Sequence, residues 1–100
     1  MNMKEKTPEW LELRATGATV SLRSTAEVNG VKVDKLTLRA PTVRDILASE
    51  EQGAETEAQR ELALFSTLAE VGRKDLEGLT MVDYRRLQTA YFRLVQDDGV

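Results

Sequence analysis

The sequence predicts an α+β fold in a single small domain: an N-terminal β-hairpin followed by about three α-helices. Three observations predict it. Apolar and polar residues alternate with a period of two from Ala18 onward. Val28-Asn29-Gly30-Val31 then interrupts the alternation. It is a strong hairpin signal, because Asn and Gly tolerate the positive φ that a type I′ turn needs at both central positions. After Pro41 the apolar period lengthens to that of a helix, and Thr-led capping boxes recur.

Residues 1–16 read as an N-terminal segment, and residues 17–97 as the hairpin and helical domain. Residues 1–8 have the composition of a frayed tail, closed by Thr7-Pro8. Trp10-Leu11-Glu12-Leu13 leaves two readings open. Trp10 and Leu13 are i,i+3 neighbours on a helix, whereas Leu11 and Leu13 share one face of a strand. Gly17 ends either element. The first hairpin strand puts Ala18, Val20 and Leu22 on one face, and the second runs from Val31 to about Arg39. A two-residue turn sets Glu27 opposite Lys32, a favourable charge pair. The ladder then meets a conflict. Val31 and Val33 are odd-numbered while Leu36 and Leu38 are even-numbered, so a regular strand sends one pair to the wrong face. A one-residue bulge near Asp34-Lys35 resolves it and places Leu38 opposite Leu22. Asp and Lys are poor strand formers, so the slip costs least there.

Pro41 ends the strand. Thr42-Val43-Arg44-Asp45 is a capping box with Asp in the Glu/Gln position, and Val43, Ile46 and Leu47 supply a short apolar face ended by Gly53. Residues 50–57 form an acidic connector of small residues. Thr56-Glu57-Ala58-Gln59 opens the next helix, in which Leu62, Phe65, Leu68 and Ala69 recur at helical spacing, with Gly72 as its C′ residue. Leu76 and Leu79 anchor a short connection. Thr80-Met81-Val82-Asp83 caps the last helix. Tyr84, Leu87, Tyr91 and Leu94 make it the clearest amphipathic helix of the chain, before a polar finish at Asp97-Asp98-Gly99.

Composition narrows the chemistry. The chain has 100 residues, 41% of them hydrophobic and 31% charged, an ordinary globular balance for one domain with one modest core. Cysteine and histidine are both absent. Thiolate chemistry, the commonest metal ligand and the commonest neutral-pH base are therefore unavailable. Residues 1–39 carry seven basic and five acidic side chains, a net of +2; residues 40–100 carry seven against twelve, a net of −5. That balance argues against non-specific DNA binding. No apolar run approaches a membrane span, and the charged start lacks the apolar core of a secretory signal, so the expected location is the cytoplasm.

The serines have neither a histidine to activate them nor nucleophile-elbow glycines. The Glu50-Glu51 and Glu55/Glu57 cluster lacks cation-loop spacing and reads as a solvated connector. Arg85 and Arg86 imitate the start of a recognition helix, but they flank a buried stripe and have Asp83 beside them. No catalytic residue, cofactor or metal is expected, and the chain is read as a binding protein and not an enzyme.

The ordered motifs add a family. The Val-Asn-Gly-Val turn leads into Leu36-Thr37-Leu38-Arg39-Ala40-Pro41-Thr42-Val43-Arg44-Asp45; Glu61-Leu62-Ala63-Leu64-Phe65-Ser66-Thr67-Leu68-Ala69 then leads to Asp83-Tyr84-Arg85-Arg86-Leu87-Gln88. Together these resemble the tail assembly chaperones of Mu-like and related contractile-tailed bacteriophages and prophages, over about residues 18–95. The family's usual acidic-Gly turn is Asn29-Gly30 here, and the resemblance assigns nothing to the Trp-containing N-terminus. It implies a protein of the host cytoplasm that acts while the tail is built. The implied partner is the tape-measure protein, with the tail tube protein as a second candidate, and the implied fate is absence from the mature virion. Related genes often yield a frameshifted longer product, which would make this chain the short form.

Three function classes stand beside one another: an interaction module of the tail-chaperone type, a small DNA-binding regulator, and a structural tail subunit. A homo-oligomer is compatible with each. Trp10, Leu11 and Leu64 are the candidate partner-binding residues, because they lie off the main stripes. They are expected to border a groove for a helical or extended segment of the partner, with Leu64 facing outward.

Overall fold

A computed structural model describes residues 7–51, 53 and 55–96; the expectations for residues 1–6 and for Asp97-Asp98-Gly99 fall outside them. The described residues form β1 (Leu11–Arg14), β2 (Gly17–Val28), β3 (Val31–Arg39), α1 (Val43–Glu50), α2 (Glu57–Ala69), α3 (Arg73–Glu77) and α4 (Met81–Leu94). The α+β expectation holds, with a third strand and one short extra helix. The strands make one antiparallel sheet in the order β1-β2-β3. Of the two readings of residues 10–13 the extended one is found. Leu11 pairs with Val20 and Leu13 with Ala18, so both leucines extend the apolar face of the hairpin. Gly17 opens β2 instead of ending β1. It lies against β3 so closely that a Cβ there would sit 2.5 Å from the Leu38 carbonyl oxygen.

The hairpin turn is as expected: Asn29 has φ 53 and Gly30 φ 80, and Glu27 lies opposite Lys32. The face reversal of β3 is also present. Val33 pairs with Ala26 and Leu36 with Val20; Val20 and Leu36 are core, and Val33 packs against them. The detail differs from the expected bulge. The larger excursion belongs to β2, whose residues between Ser21 and Ala26 oppose Asp34, and Leu38 therefore meets Ala18 and not Leu22.

The cause lies on α4. Asp83 is 1% exposed, and its two carboxylate oxygens accept the backbone N–H groups of Arg23 at 2.7 Å and Ser24 at 3.1 Å. The N–H groups released by the irregular ladder are satisfied by a buried anion at the start of a helix. Such groups stay unpaired only at considerable cost.

All three Thr boxes cap helices, each differently. Thr42 and Asp45 close the reciprocal box of α1. Thr56 caps α2, but Gln59 accepts the N–H of Glu55, one residue earlier than the standard arrangement. Thr80 caps α4, while Asp83 turns away from it to β2. The left-handed residue ending α2 is Glu70 at φ 58; Gly72 instead precedes α3 as its N-cap. Asp75 of α3 accepts the N–H of Asn29 at 3.0 Å and ties this short helix to the hairpin turn. Phe65, Leu68 and Leu87 pack on Val20 and Leu38 in the core, with Tyr84 and Tyr91 tilted against Phe65 at 5.7 and 5.4 Å. The opposite sheet face is polar, with the hydroxyls of Thr19 and Thr37 in contact at 3.3 Å.

Candidate functional site

Helix α1 is the least buried of the longer helices, and its apolar residues are unequally covered. Ile46 is half-buried and Ser49 buried, whereas Val43 and Leu47 are exposed. Ser49 is buried and its hydroxyl donates to the Ile46 carbonyl at 2.7 Å. Val43 is 76% exposed and Leu47 53%. The short apolar face expected of this helix is thus split, with two of its three residues unused by the core.

Polar contacts hold α1 in place. Arg39, the last residue of β3, donates from Nη1 and Nη2 to the two carboxylate oxygens of Asp45 at 2.8 and 2.9 Å. Asp45 also accepts the Thr42 N–H at 2.8 Å, and its own N–H donates to the Thr42 hydroxyl at 3.1 Å. The Arg39 hydrogen bonds, followed by the Thr42 N–H, hold the Asp45 carboxyl well below the usual carboxylate range; the same contact raises the Arg39 guanidinium. A planar bidentate pair of this kind fixes direction as well as distance, and so sets the angle at which α1 leaves the sheet.

Beside α1 runs a groove of about 210 Å³, lined by Ile46, Ser49 and Glu50 of α1, Arg60, Glu61 and Leu64 of α2, and Tyr91 of α4. Its α2 wall is braced. The Glu61 carboxylate accepts the Tyr84 hydroxyl at 2.8 Å and the Gln88 amide N–H at 2.9 Å on one oxygen. Burial, then the Glu61 contact, pushes the Tyr84 phenol far above its ordinary value, and burial and Glu61 raise Tyr91 in the same sense. The result is an open groove with Ile46, Leu64 and Tyr91 as its apolar part, polar edges of which Glu61 is held in place, and the exposed Val43 and Leu47 on the helix that supplies Ile46. Such a surface accommodates an amphipathic segment of another chain; among the described residues no group of three acidic side chains is placed to hold a metal ion.

The three residues singled out from the sequence do not meet. Leu11 is 4% exposed and belongs to the core. Leu64 does not face outward: at 6% exposure it packs with Phe65 and Leu68, and only its edge reaches the groove. It turns inward because α2 is covered on more than one side, by β3 and by α1, so its apolar stripe is wider than a one-sided helix needs. Trp10 is half-buried. The Arg86 guanidinium carbon lies 4.9 Å from its ring centre, and Arg86 Nη1 donates to the Ser21 carbonyl at 2.7 Å. Trp10 lines a second, more polar concavity of about 380 Å³ with Thr19, Ser21 and Lys35, which shares no lining residue with the groove.

Sequence reasoning missed Val43, Leu47 and Phe92 as surface residues; Phe92 is 60% exposed. The available signals were geometric. Val43 and Leu47 are i,i+4 partners on one side of a short helix, and Phe92 stands 100° from Tyr91 on the helix wheel. Among the described residues no helix is long and apolar enough to cross a membrane. A family model described as "phage tail assembly chaperone proteins, E, or 41 or 14" matches residues 19–96. No curated protein and no solved structure matches the chain.

Proposed function

Because the chain belongs to the phage tail assembly chaperone family, we propose that it binds the tape-measure protein while the tail is being assembled, through the groove between α1, α2 and α4. The tail tube protein is the second candidate client. The observation that carries the reading is the outward pair Val43 and Leu47 on α1, the helix whose Ile46, Ser49 and Glu50 line that groove. An eight-residue helix that leaves two of its three large aliphatic residues in water, while a bidentate ion pair fixes its direction, is suited to an external ligand. A tape-measure chain is long and helical, and an apolar channel with polar edges suits the apolar stripe of such a helix.

In this reading Leu64 and Tyr91 form the floor, Ile46 one wall, and Val43 and Leu47 the lip. Trp10 and Leu11 are kept as a proposed second contact at the β1 end of the sheet. The chaperone works in the host cytoplasm and leaves before the virion is complete. The nucleic-acid alternative is weakened by the commitment of Arg86 to Trp10 and Ser21 within the fold. The structural-subunit alternative predicts that the chain persists in finished particles.

The test is co-expression with the tape-measure protein of the same phage. The proposal expects more of the long chain in the soluble fraction, co-purification of the two, and loss of this chain from purified virions. A tape-measure protein equally soluble without it, with no co-purification, would overturn the proposal. Co-purification of the tube protein alone would transfer the client.

A further inference from the structure

We propose that the outer face of α4 is a self-association surface, on which a second copy of this chain docks antiparallel about a two-fold axis through Gln88. The inner face of α4 buries Asp83, Leu87 and Ala90. On the other side, Met81, Arg85, Gln88, Phe92 and Val95 succeed one another at steps of four, three, four and three residues. This is the 3.5-residue spacing that keeps one line of side chains facing a neighbouring helix. Three of the five are large apolar residues in water: Met81 and Phe92 are each 60% exposed and Val95 51%. Val43 and Leu47, on which the tape-measure reading rests, are not among them.

The order along the seam selects the occupant. Reversed onto itself about Gln88, it sets Met81 against Val95 of the copy and Gln88 against Gln88, and it brings Arg85 to within one residue of direct opposition to Phe92. Arg85 is exposed and has no ion-pair or hydrogen-bond partner among the described residues, so its guanidinium is available to lie over the facing ring. The Gln88 side chain uses one N–H on Glu61 and retains a carbonyl oxygen and a second N–H for its symmetry mate. A parallel copy would stack Arg85 on Arg85. A uniformly apolar foreign helix would leave Arg85 and Gln88 facing hydrocarbon in mid-seam. The seam reads apolar-polar-polar-apolar-apolar, and laid on its own reverse it sets apolar on apolar at both ends, Gln88 on Gln88, and Arg85 beside an aromatic ring, as an isologous contact requires. A 14-residue helix is about 21 Å long, and one helix pair falls short of the roughly 800 Å² per partner of a standard interface, so the dimer is reversible.

The absence of native cysteine makes the register directly testable. In Gln88→Cys the two thiols meet on the axis, within the roughly 7 Å Cα separation that a disulfide spans. In Val43→Cys, on exposed α1, they do not. Under mild oxidation the proposal expects Gln88→Cys to cross-link at least tenfold faster than Val43→Cys, and Phe92→Asp in the Gln88→Cys background to abolish that advantage. Sedimentation of the cysteine-free chain should show a weight-average mass rising with concentration, and Phe92→Asp should hold it at the monomer with an unchanged melting temperature. Equal cross-linking of the two cysteine variants, an advantage that survives Phe92→Asp, or a cysteine-free chain that stays monomeric at the highest concentration would overturn the proposal. None of these results depends on whether a tape-measure protein binds.

Discussion

Replacing Asp83 by Ala removes the acceptor of the Arg23 and Ser24 N–H groups and should be among the most damaging single changes in the chain. Hydrogen bonds to a charged group contribute about 1.5–3 kcal/mol each. Asp83 itself is buried, but Arg23 and Ser24 are exposed residues whose N–H groups water can reach once the carboxylate is gone. The low end of the range therefore applies, about 3 kcal/mol for the two bonds. That is a large fraction of the 5–15 kcal/mol that about a hundred residues provide. At about 4–8 °C per kcal/mol for a domain of this size, the melting temperature should fall by about 12 °C or more. Thr80→Ala removes only the cap of the same helix and should cost about 1 kcal/mol. Asp83→Asn retains one acceptor oxygen but turns an NH₂ toward the other N–H, and should recover little. The assay is thermal and urea unfolding followed by circular dichroism. A fall of less than about 4 °C for Asp83→Ala, or one equal to that of Thr80→Ala, would refute the view that Asp83 anchors the irregular stretch of β2.

Three further outcomes are expected. Leu64→Ala should lose about 2–5 kcal/mol, as a buried leucine does, whereas Leu47→Ala should stay within about 0.5 kcal/mol of the parent; equal losses would show that α1 is packed more deeply than its exposure indicates. Because the Asp45 pKa is lowered on folding, its contribution is complete above the unfolded value of about 3.9 and is lost as pH falls through the folded value. The stability gap between the parent and Asp45→Asn should thus be constant from about pH 7 to 5 and close below about 4; a gap that persists in acid would assign it to something other than the Arg39 pair. Tyr84 and Tyr91 are both raised, so their contribution is intact below about pH 10 and is lost as pH rises through the folded values. Phenolate absorbance should lag behind that of free tyrosine until the chain unfolds, and early ionisation of Tyr84 would contradict its bond to Glu61.

Local chemistry was legible in the sequence. Thr42, Thr56 and Thr80 each cap a helix, and Asn29-Gly30 turns the hairpin, because these effects are decided within about four residues. The need for β3 to change face was readable from the parity of Val33 and Leu36. Which strand would carry the larger excursion was not, because that is decided by Asp83, 60 positions away from Arg23. The same distance effect hid the true status of Leu64, which is covered by elements that its own periodicity cannot name. At Glu70 a non-glycine residue takes the left-handed position one would assign to Gly72.

The residues that carry the family resemblance are mostly scaffold. Leu36 and Leu38 are core, Arg39 and Asp45 aim α1, Asp83 holds β2, and Tyr84 and Gln88 brace Glu61. The signature mostly specifies the fold; of the proposed client surface, Val43 falls inside its first run and Leu47 just beyond it. The predominance of scaffold residues explains why the motifs pointed to a family more readily than to a site.

The most direct test of the account is the affinity of the tape-measure protein for the parent and for a Val43→Glu, Leu47→Glu double variant, measured beside their melting temperatures. Both positions are largely exposed, so the variant should fold and melt like the parent. Two charges on the lip of an apolar groove should weaken binding by at least a hundredfold, on the roughly 2 kcal/mol or more expected of an interface anchor. A folded double variant that binds the tape-measure protein as tightly as the parent would contradict the account.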